Sequence, residues 1–282
     1  GDPRRNGPVS TWAHLSAYRH DPWGPLQRLD FSPGWDAACN WDGMVLANGV
    51  SAALSGDTRS NWWLHLDGGR NLRRMDDDDV RRGGPVIRRP AENWVHFQID
   101  TDDRRPFSFT LRPEVKRHDG GASHERRLTL AAAWRPRPSL WFSVAPVYVH
   151  GVADAQWVQT DPDPAAPGGV HYVYGRLDRQ TLDLTTRAQM NFAPELSLEL
   201  YLQPFVAIGD YRSFKELVAT KTYRFRPYNL PQDQDFHHRW LNSNVVLRWE
   251  YRPGSTAFLV WTQDRVNFDD PGDFHLGRDT RS

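Results

Sequence analysis

One cysteine, Cys39, is all the chain carries, so no disulfide can form within it. A lone thiol without an activating neighbour reads as a small wall residue, not a nucleophile. Long apolar runs are missing too: no stretch of about 18 apolar residues occurs. With hydrophobic residues at 39% and a mean hydropathy of -0.70, a helical membrane protein is excluded. Charge of one sign is also lacking. Lys plus Arg and Asp plus Glu are each 35, for a formal net charge of zero, which leaves no electrostatic case for a nucleic-acid partner. There is no G-x-S-x-G, no H-E-x-x-H and no Walker-type loop, so neither catalysis nor a cofactor nor a metal is read from motifs. Gly1-Asp2-Pro3-Arg4 has no apolar signal region, and Arg278-Asp279-Thr280-Arg281-Ser282 is polar. Both ends read as cuts in a longer protein.

Aromatic residues are abundant, with 13 Trp and an aromatic share of 12%. So is alternation with a period of two. Leu196, Leu198, Leu200 and Leu202 fall on one face of a strand, and Glu195, Ser197, Glu199 and Gln203 on the other. Just before them, Leu182, Leu184, Ala188, Met190 and Phe192 alternate with Asp183, Thr185, Arg187, Gln189 and Asn191. Ala193-Pro194 between the two segments predicts a tight hairpin. Strands are expected at 10–19, 27–38, 43–56, 60–69, 93–101, 106–117, 125–135, 139–150, 153–159, 171–178, 180–192, 195–207, 238–251 and 255–264, with 153–159 or 171–178 assigned to a loop hairpin. The nearest thing to a helix is a single turn at 213–218. Connections alternate between short turns (135–138, 193–194, 252–255) and long loops (70–92, 160–170, 209–237).

A soluble β-sandwich shares the alternation. Three features favour a membrane barrel. The polar faces are ionised over whole strands. Several segments exceed the usual strand length of about 5–6 residues, whereas a tilted membrane strand needs about 9–11. Aromatics gather near strand ends, at Trp62, Trp63, Trp94, Trp134, Trp141, Tyr172, Tyr174, Trp249 and Tyr251, as interfacial girdles do. The expectation is an all-β, antiparallel, up-and-down transmembrane β-barrel with about 13–14 strands seen. It occupies 1–282 as a single outer-membrane domain, incomplete at its termini.

A set of strings resembles one bacterial family. They are Arg82-Gly83-Gly84-Pro85, Arg89-Pro90, Asp103-Arg104-Arg105-Pro106, Trp134-Arg135-Pro136, Tyr174-Gly175-Arg176-Leu177-Asp178, Leu200-Tyr201-Leu202-Gln203-Pro204-Phe205, Gly209-Asp210-Tyr211 and Leu247-Arg248-Trp249-Glu250-Tyr251-Arg252-Pro253-Gly254-Ser255. Together they are similar to the family called domain of unknown function 5916, most densely from 80 to 265. The resemblance implies a bacterial outer-membrane β-barrel that commonly follows a module similar to family 9 carbohydrate-binding domains. That module, and a final strand ending in an aromatic residue, are not found in this chain.

Candidate functional residues are those expected in a lumen or at its mouth: Arg82, Gly83, Gly84, Pro85, Arg104, Arg176, Arg187, Glu199, Arg248 and Glu250. Gly83-Gly84 permits positive φ and Pro85 fixes the exit, which suits either a loop folded into the mouth or an ordinary outer turn. Asp76-Asp77-Asp78-Asp79 lacks the spacing of a Ca²⁺ loop. Arg81, Arg82, Arg88 and Arg89 are expected to neutralise it or to bind lipopolysaccharide phosphate. His96, His118 and His150 read as isolated, and His237-His238 point to opposite faces of a strand. Glu195 and Glu199 read as lumen lining, not as a glycosidase pair. Expected partners are outer-membrane lipid or lipopolysaccharide and a glycan. The expected role is ligand uptake or binding at the outer membrane. The alternatives are a structural anchor for the carbohydrate-binding module and a component of a carbohydrate-active enzyme.

Overall fold

A computed structural model describes residues 8–166 and 168–269; the terminal segments read as cuts lie outside the described residues. The elements in chain order are β1 (Val9–His14), β2 (Ala17–Arg19), β3 (Leu26–Cys39), β4 (Val45–Thr58), β5 (Trp63–Asn71), β6 (Arg74–Asp76), a 3-10 turn (Val80–Arg82), β7 (Ile87–Arg89), β8 (Glu92–Asp100), β9 (Phe107–His118), β10 (His124–Arg137), β11 (Leu140–Pro162), β12 (Val170–Ala193), β13 (Leu196–Leu217), β14 (Phe225–Pro227), β15 (Phe236–Arg252) and β16 (Ser255–Asp269). Fourteen of the strands form one antiparallel sheet in the order β1-β3-β4-β5-β8-β9-β10-β11-β12-β13-β15-β16, with β2 attached to β3 and β14 to β13. Each neighbour along this path is the next long strand of the chain, so the up-and-down order is as expected. No closed barrel is found among the described residues: β1 pairs only with β3 and β16 only with β15.

Register turns the alternation into two chemically distinct faces. Leu198 lies opposite Met190 and Leu247, and Leu200 opposite Ala188 and Val245. One position along, Glu199 lies opposite Gln189 and Val246, and Tyr201 opposite Arg187 and Asn244. Partners across a ladder share a face, so an apolar band and a polar face run across the sheet. The apolar band is not covered: Val95 is 53% exposed and Val115 48%. Phe107, Trp134, Phe192 and Trp249 edge it near the short turns. Trp63, Trp94 and Trp141 do not join this belt, because their partners Asp100, Lys116 and Gln189 place them on the polar face.

Turns at one end of the sheet are short (138–139, 194–195, 253–254), and the connections at the other include 72–91 and 218–235. At the long-loop end β11, β12 and β13 reach 23, 24 and 22 residues. Each is one strand where alternation suggests two elements. Segments 139–150 and 153–159 are continuous, as are 171–178 and 180–192. The strand containing 195–207 runs on to Leu217, so 213–217 is extended and not helical. Bulges on β11 and β13 explain two of these: the β11–β12 ladder shifts between Ala153 and Gln156 and between Trp157 and Gln159, with the extra residues on β11, and the β12–β13 ladder shifts between Tyr174 and Arg176, with the extra residue on β13. An extra residue reverses the facing of everything beyond it, so the period-two signal breaks while the strand continues. Ser213, at φ 53, marks the bulge on β13. At the other extreme, segment 10–19 is two strands, β1 and β2, both paired to β3.

The extended upper tier holds the densest core. Ile87, Ala155, Tyr174 and Leu217 are buried together, with Trp157, Tyr172, Tyr223 and Phe225 packed against them. Tyr172 and Tyr174 therefore belong to this core and not to a girdle.

Close strand approach depends on glycine at 69, where a Cβ would lie 2.5 Å from the Val50 carbonyl oxygen and 3.1 Å from Trp94 Cε2. Gly69→Ala is expected to cost about 1–3 kcal/mol by overpacking between β4 and β8. Chemical denaturation of the folded chain checks this as a lowered midpoint with an unchanged slope.

Candidate functional site

Segment 72–91 folds over the polar face. β6 pairs with β7, Ile87 enters the upper core, and Arg89 donates from Nη1 to the Ala155 carbonyl at 2.8 Å. The Arg82-Gly83-Gly84-Pro85 turn rides on β11. Gly83 adopts φ 90 after the 3-10 turn, and its carbonyl accepts from Thr160 Oγ1 at 2.8 Å. A Cβ on Gly84 would meet Asp79 Cβ at 2.6 Å and Trp157 at 3.2 Å. The Arg82 guanidinium lies 5.3 Å from the centre of the Trp157 ring, and Pro85 is buried. The acidic run is neutralised as expected, by Arg89 on Asp76 (2.7 Å) and Arg82 on Asp79.

Two hollows open on the polar face. The first, about 330 Å³, lies under the folded-in segment and is lined by Arg74, Arg89, Glu92, Lys116, His118, Glu125 and Arg179 among others. Its charges arrive paired: Arg179 with Glu125 at 2.9 Å, His118 with Glu92 at 2.8 Å, and Lys116 with Glu114 at 2.8 Å. The second, about 350 Å³, lies nearer the short turns and is lined by Trp141, Arg187, Gln189, Glu199, Tyr201, Asn244 and Val246. These residues come from β11, β12, β13 and β15, and the register places them in two adjacent rows. Arg187 sits 5.5 Å from the Tyr201 ring centre. The Tyr201 hydroxyl donates to Gln203 at 2.5 Å, and Gln203 donates to Asp183 at 2.8 Å. An aromatic floor bordered by convergent donors and acceptors is the usual chemistry of a small-ligand site.

With this geometry in place, comparison with known proteins is informative. Residues 31–279 match the family model described as a domain of unknown function, DUF5916. The chain belongs to that family. No curated protein and no solved structure matches it.

The site residues expected from sequence separate into groups in this DUF5916 chain. Arg187 and Glu199 meet in the second hollow. Arg82, Gly83, Gly84 and Pro85 form the folded-in turn. Arg104 lies at the opposite, short-turn end. There it clamps Asp102 with bonds of 2.8 and 2.9 Å and, chiefly through these bonds, holds that carboxyl down at about 2. Arg176 is exposed beyond the apolar band, in register with Arg212, on the face away from both hollows. Arg248 pairs with Glu250 at 3.2 Å, and Glu250 accepts the Gly254 amide at 3.1 Å, so that pair caps the β15–β16 turn. Trp141, Tyr201 and Asn244 were missed from sequence. Their signal was present in the alternation, but only register puts them in one hollow. The histidines expected to be isolated have acidic partners: His96 meets Asp67 at 2.6 Å, His118 meets Glu92, and His150 meets Asp178 at 3.1 Å.

A second charged cluster ties the upper tier together in the same DUF5916 chain. His171 on β12 bonds Glu216 on β13 and, at 3.0 Å, Asp163 in the loop. Arg226 on β14 also bonds Glu216. The Glu216 and Asp163 bonds raise the His171 pKa above its ordinary 6.5. Burial pushes Glu216 up, but Arg226 and His171 outweigh it and leave the carboxyl below its ordinary 4.5. The stabilisation from His171 is complete below pH 6.5 and is lost as pH rises through its raised value. That from Glu216 is complete above pH 4.5 and is lost as pH falls through its lowered value. Amide protection in 170–174 and 214–217, corrected for intrinsic exchange, is therefore expected to peak between these limits. Glu216→Gln should shrink the alkaline decline, with Asp163 preserving part of it.

Proposed function

We propose that this chain forms most of the wall of a bacterial outer-membrane β-barrel, with the apolar band against lipid and the polar face toward a hydrated lumen. One observation carries the reading: the apolar face is left exposed along the meander while the opposite face is ionised. A water-soluble sheet would need a second layer over such a band. Long strands, short turns at one end and long loops at the other support the same reading. The exposed Arg117, Arg126, Arg176 and Arg212 lie on the apolar-face side just beyond the band at the long-loop end, where lipopolysaccharide phosphates would meet them. Leu200→Arg in the band should cost about 2–4 kcal/mol of folding stability in bilayers, whereas Thr185→Arg on the polar face should cost little. Equal costs, measured by urea titration in liposomes, would count against membrane embedding.

Within that barrel the second hollow is proposed to hold a carbohydrate. Trp141 and Tyr201 offer flat apolar faces, and Arg187, Gln189, Glu199 and Asn244 offer the mixed donors and acceptors that sugar hydroxyls need. Calorimetry of the chain in liposomes with cellohexaose is expected to show binding that Trp141→Ala and Glu199→Gln each weaken at least tenfold. Arg104→Gln, in the β8–β9 turn and outside the lining of the hollow, should leave it unchanged. A folded wild-type chain that binds no saccharide would refute this role.

A further inference from the structure

His65 and Asp67 stand two residues apart on β5 and therefore share its polar face. β8 pairs in a register that sets His96 opposite Asp67. His96 Nδ1 lies 2.6 Å from Asp67 Oδ1, and His65 Nε2 lies 3.1 Å from the same oxygen. One ligand atom from each residue falls within 4.8 Å of the other two. Among the described residues, no other group of three His, Cys, Asp or Glu side chains meets this condition.

The geometry points to a binding site for one divalent transition-metal ion, with His65, Asp67 and His96 as its ligands. Two imidazoles and one carboxylate are a familiar donor set for such ions, and Zn²⁺ accepts it with a fourth position left to water. Metal bonds of about 2.1 Å in a tetrahedron space ligand atoms about 3.4 Å apart, so the side chains need to move by less than about 1 Å. The carboxylate offsets part of the ion's charge. Trp63 stacks on His65 with rings 5.0 Å apart and 9° from parallel, which restrains that imidazole. Side-chain exposures of 21%, 19% and 25% leave the group open to the polar face, so a bound ion would keep room for water or a ligand. A bare His–Asp–His contact is the competing account. In it Asp67 Oδ1 accepts a hydrogen bond from each ring, and metal titration separates the two accounts.

The site depends only on the β5–β8 register, so it stands or falls separately from the membrane and carbohydrate readings. The test uses the full chain folded in detergent, stripped with chelator and titrated with Zn²⁺. Retained metal is counted by mass spectrometry and ligation is read from the visible spectrum after Co²⁺ substitution. One equivalent is expected, with a nitrogen-ligated Co²⁺ spectrum. His65→Ala, His96→Ala and Asp67→Asn should each weaken binding at least tenfold, while His118→Ala, on the same face, should not. Failure of the folded wild-type chain to retain Zn²⁺ would overturn the site, as would a His65→Ala/His96→Ala double variant that binds as the wild type does.

Discussion

Antiparallel register is the constraint on which everything else in this molecule depends. A slip of one residue between β12 and β13 would send Leu196, Leu198, Leu200 and Leu202 to the polar face and bring Ser197, Glu199 and Tyr201 into the apolar band. The same slip would separate Arg187 from Tyr201. Register is in turn held by the backbone, whose amides and carbonyls are satisfied strand to strand, and by the short turns that leave little slack between neighbours. The Leu–Met and Leu–Ala rows, the Trp141 hollow and the His65–Asp67–His96 cluster are all products of one pairing pattern.

Bulges give the sheet a second tier. Below them, β11 to β13 follow a strict two-residue alternation that separates apolar from polar. Above them the facing changes, and Ala155, Tyr174 and Leu217 pack with Ile87 from a connection that folds back over the polar face. Burial there is ordinary core burial, and the Tyr174 hydroxyl, without a hydrogen-bond partner, is pushed above its usual pKa by it. Lys215–Asp154 at 2.8 Å joins β13 to β11, and Arg89–Asp76 at 2.7 Å ties β7 to β6 within the connection itself. The upper tier thus adds side-chain packing and ion pairs to the backbone ladder that continues up from the lower sheet.

Most of the strands were legible because alternation is a local property. Thr181 to Phe192 and Glu195 to Gln203 announce their two faces without reference to any neighbour. Legibility fails where the structure depends on pairs. Where a single-turn helix is expected at 213–218, residues 213–217 are strand because β14 and β12 pair with them, and Ser213 takes up the bulge. The girdle expected from nine aromatics divides between the apolar band, the polar face and the upper core, because an aromatic residue near a strand end carries no local mark of its facing. Arg104 and Arg187 look equivalent in sequence, yet one holds a turn at the short-turn end and the other lines a hollow.

The sequence by itself determined an all-β meander with one apolar and one polar face, short turns at one end and long connections at the other, and membership in the DUF5916 family. Each follows from residue order along one strand or from strings of adjacent residues. Only the tertiary structure decided that segment 72–91 folds inward, that β11 to β13 continue through their bulges, and which polar side chains meet. Those outcomes depend on which residue of one strand faces which residue of the next, and that matching is a property of the assembled sheet.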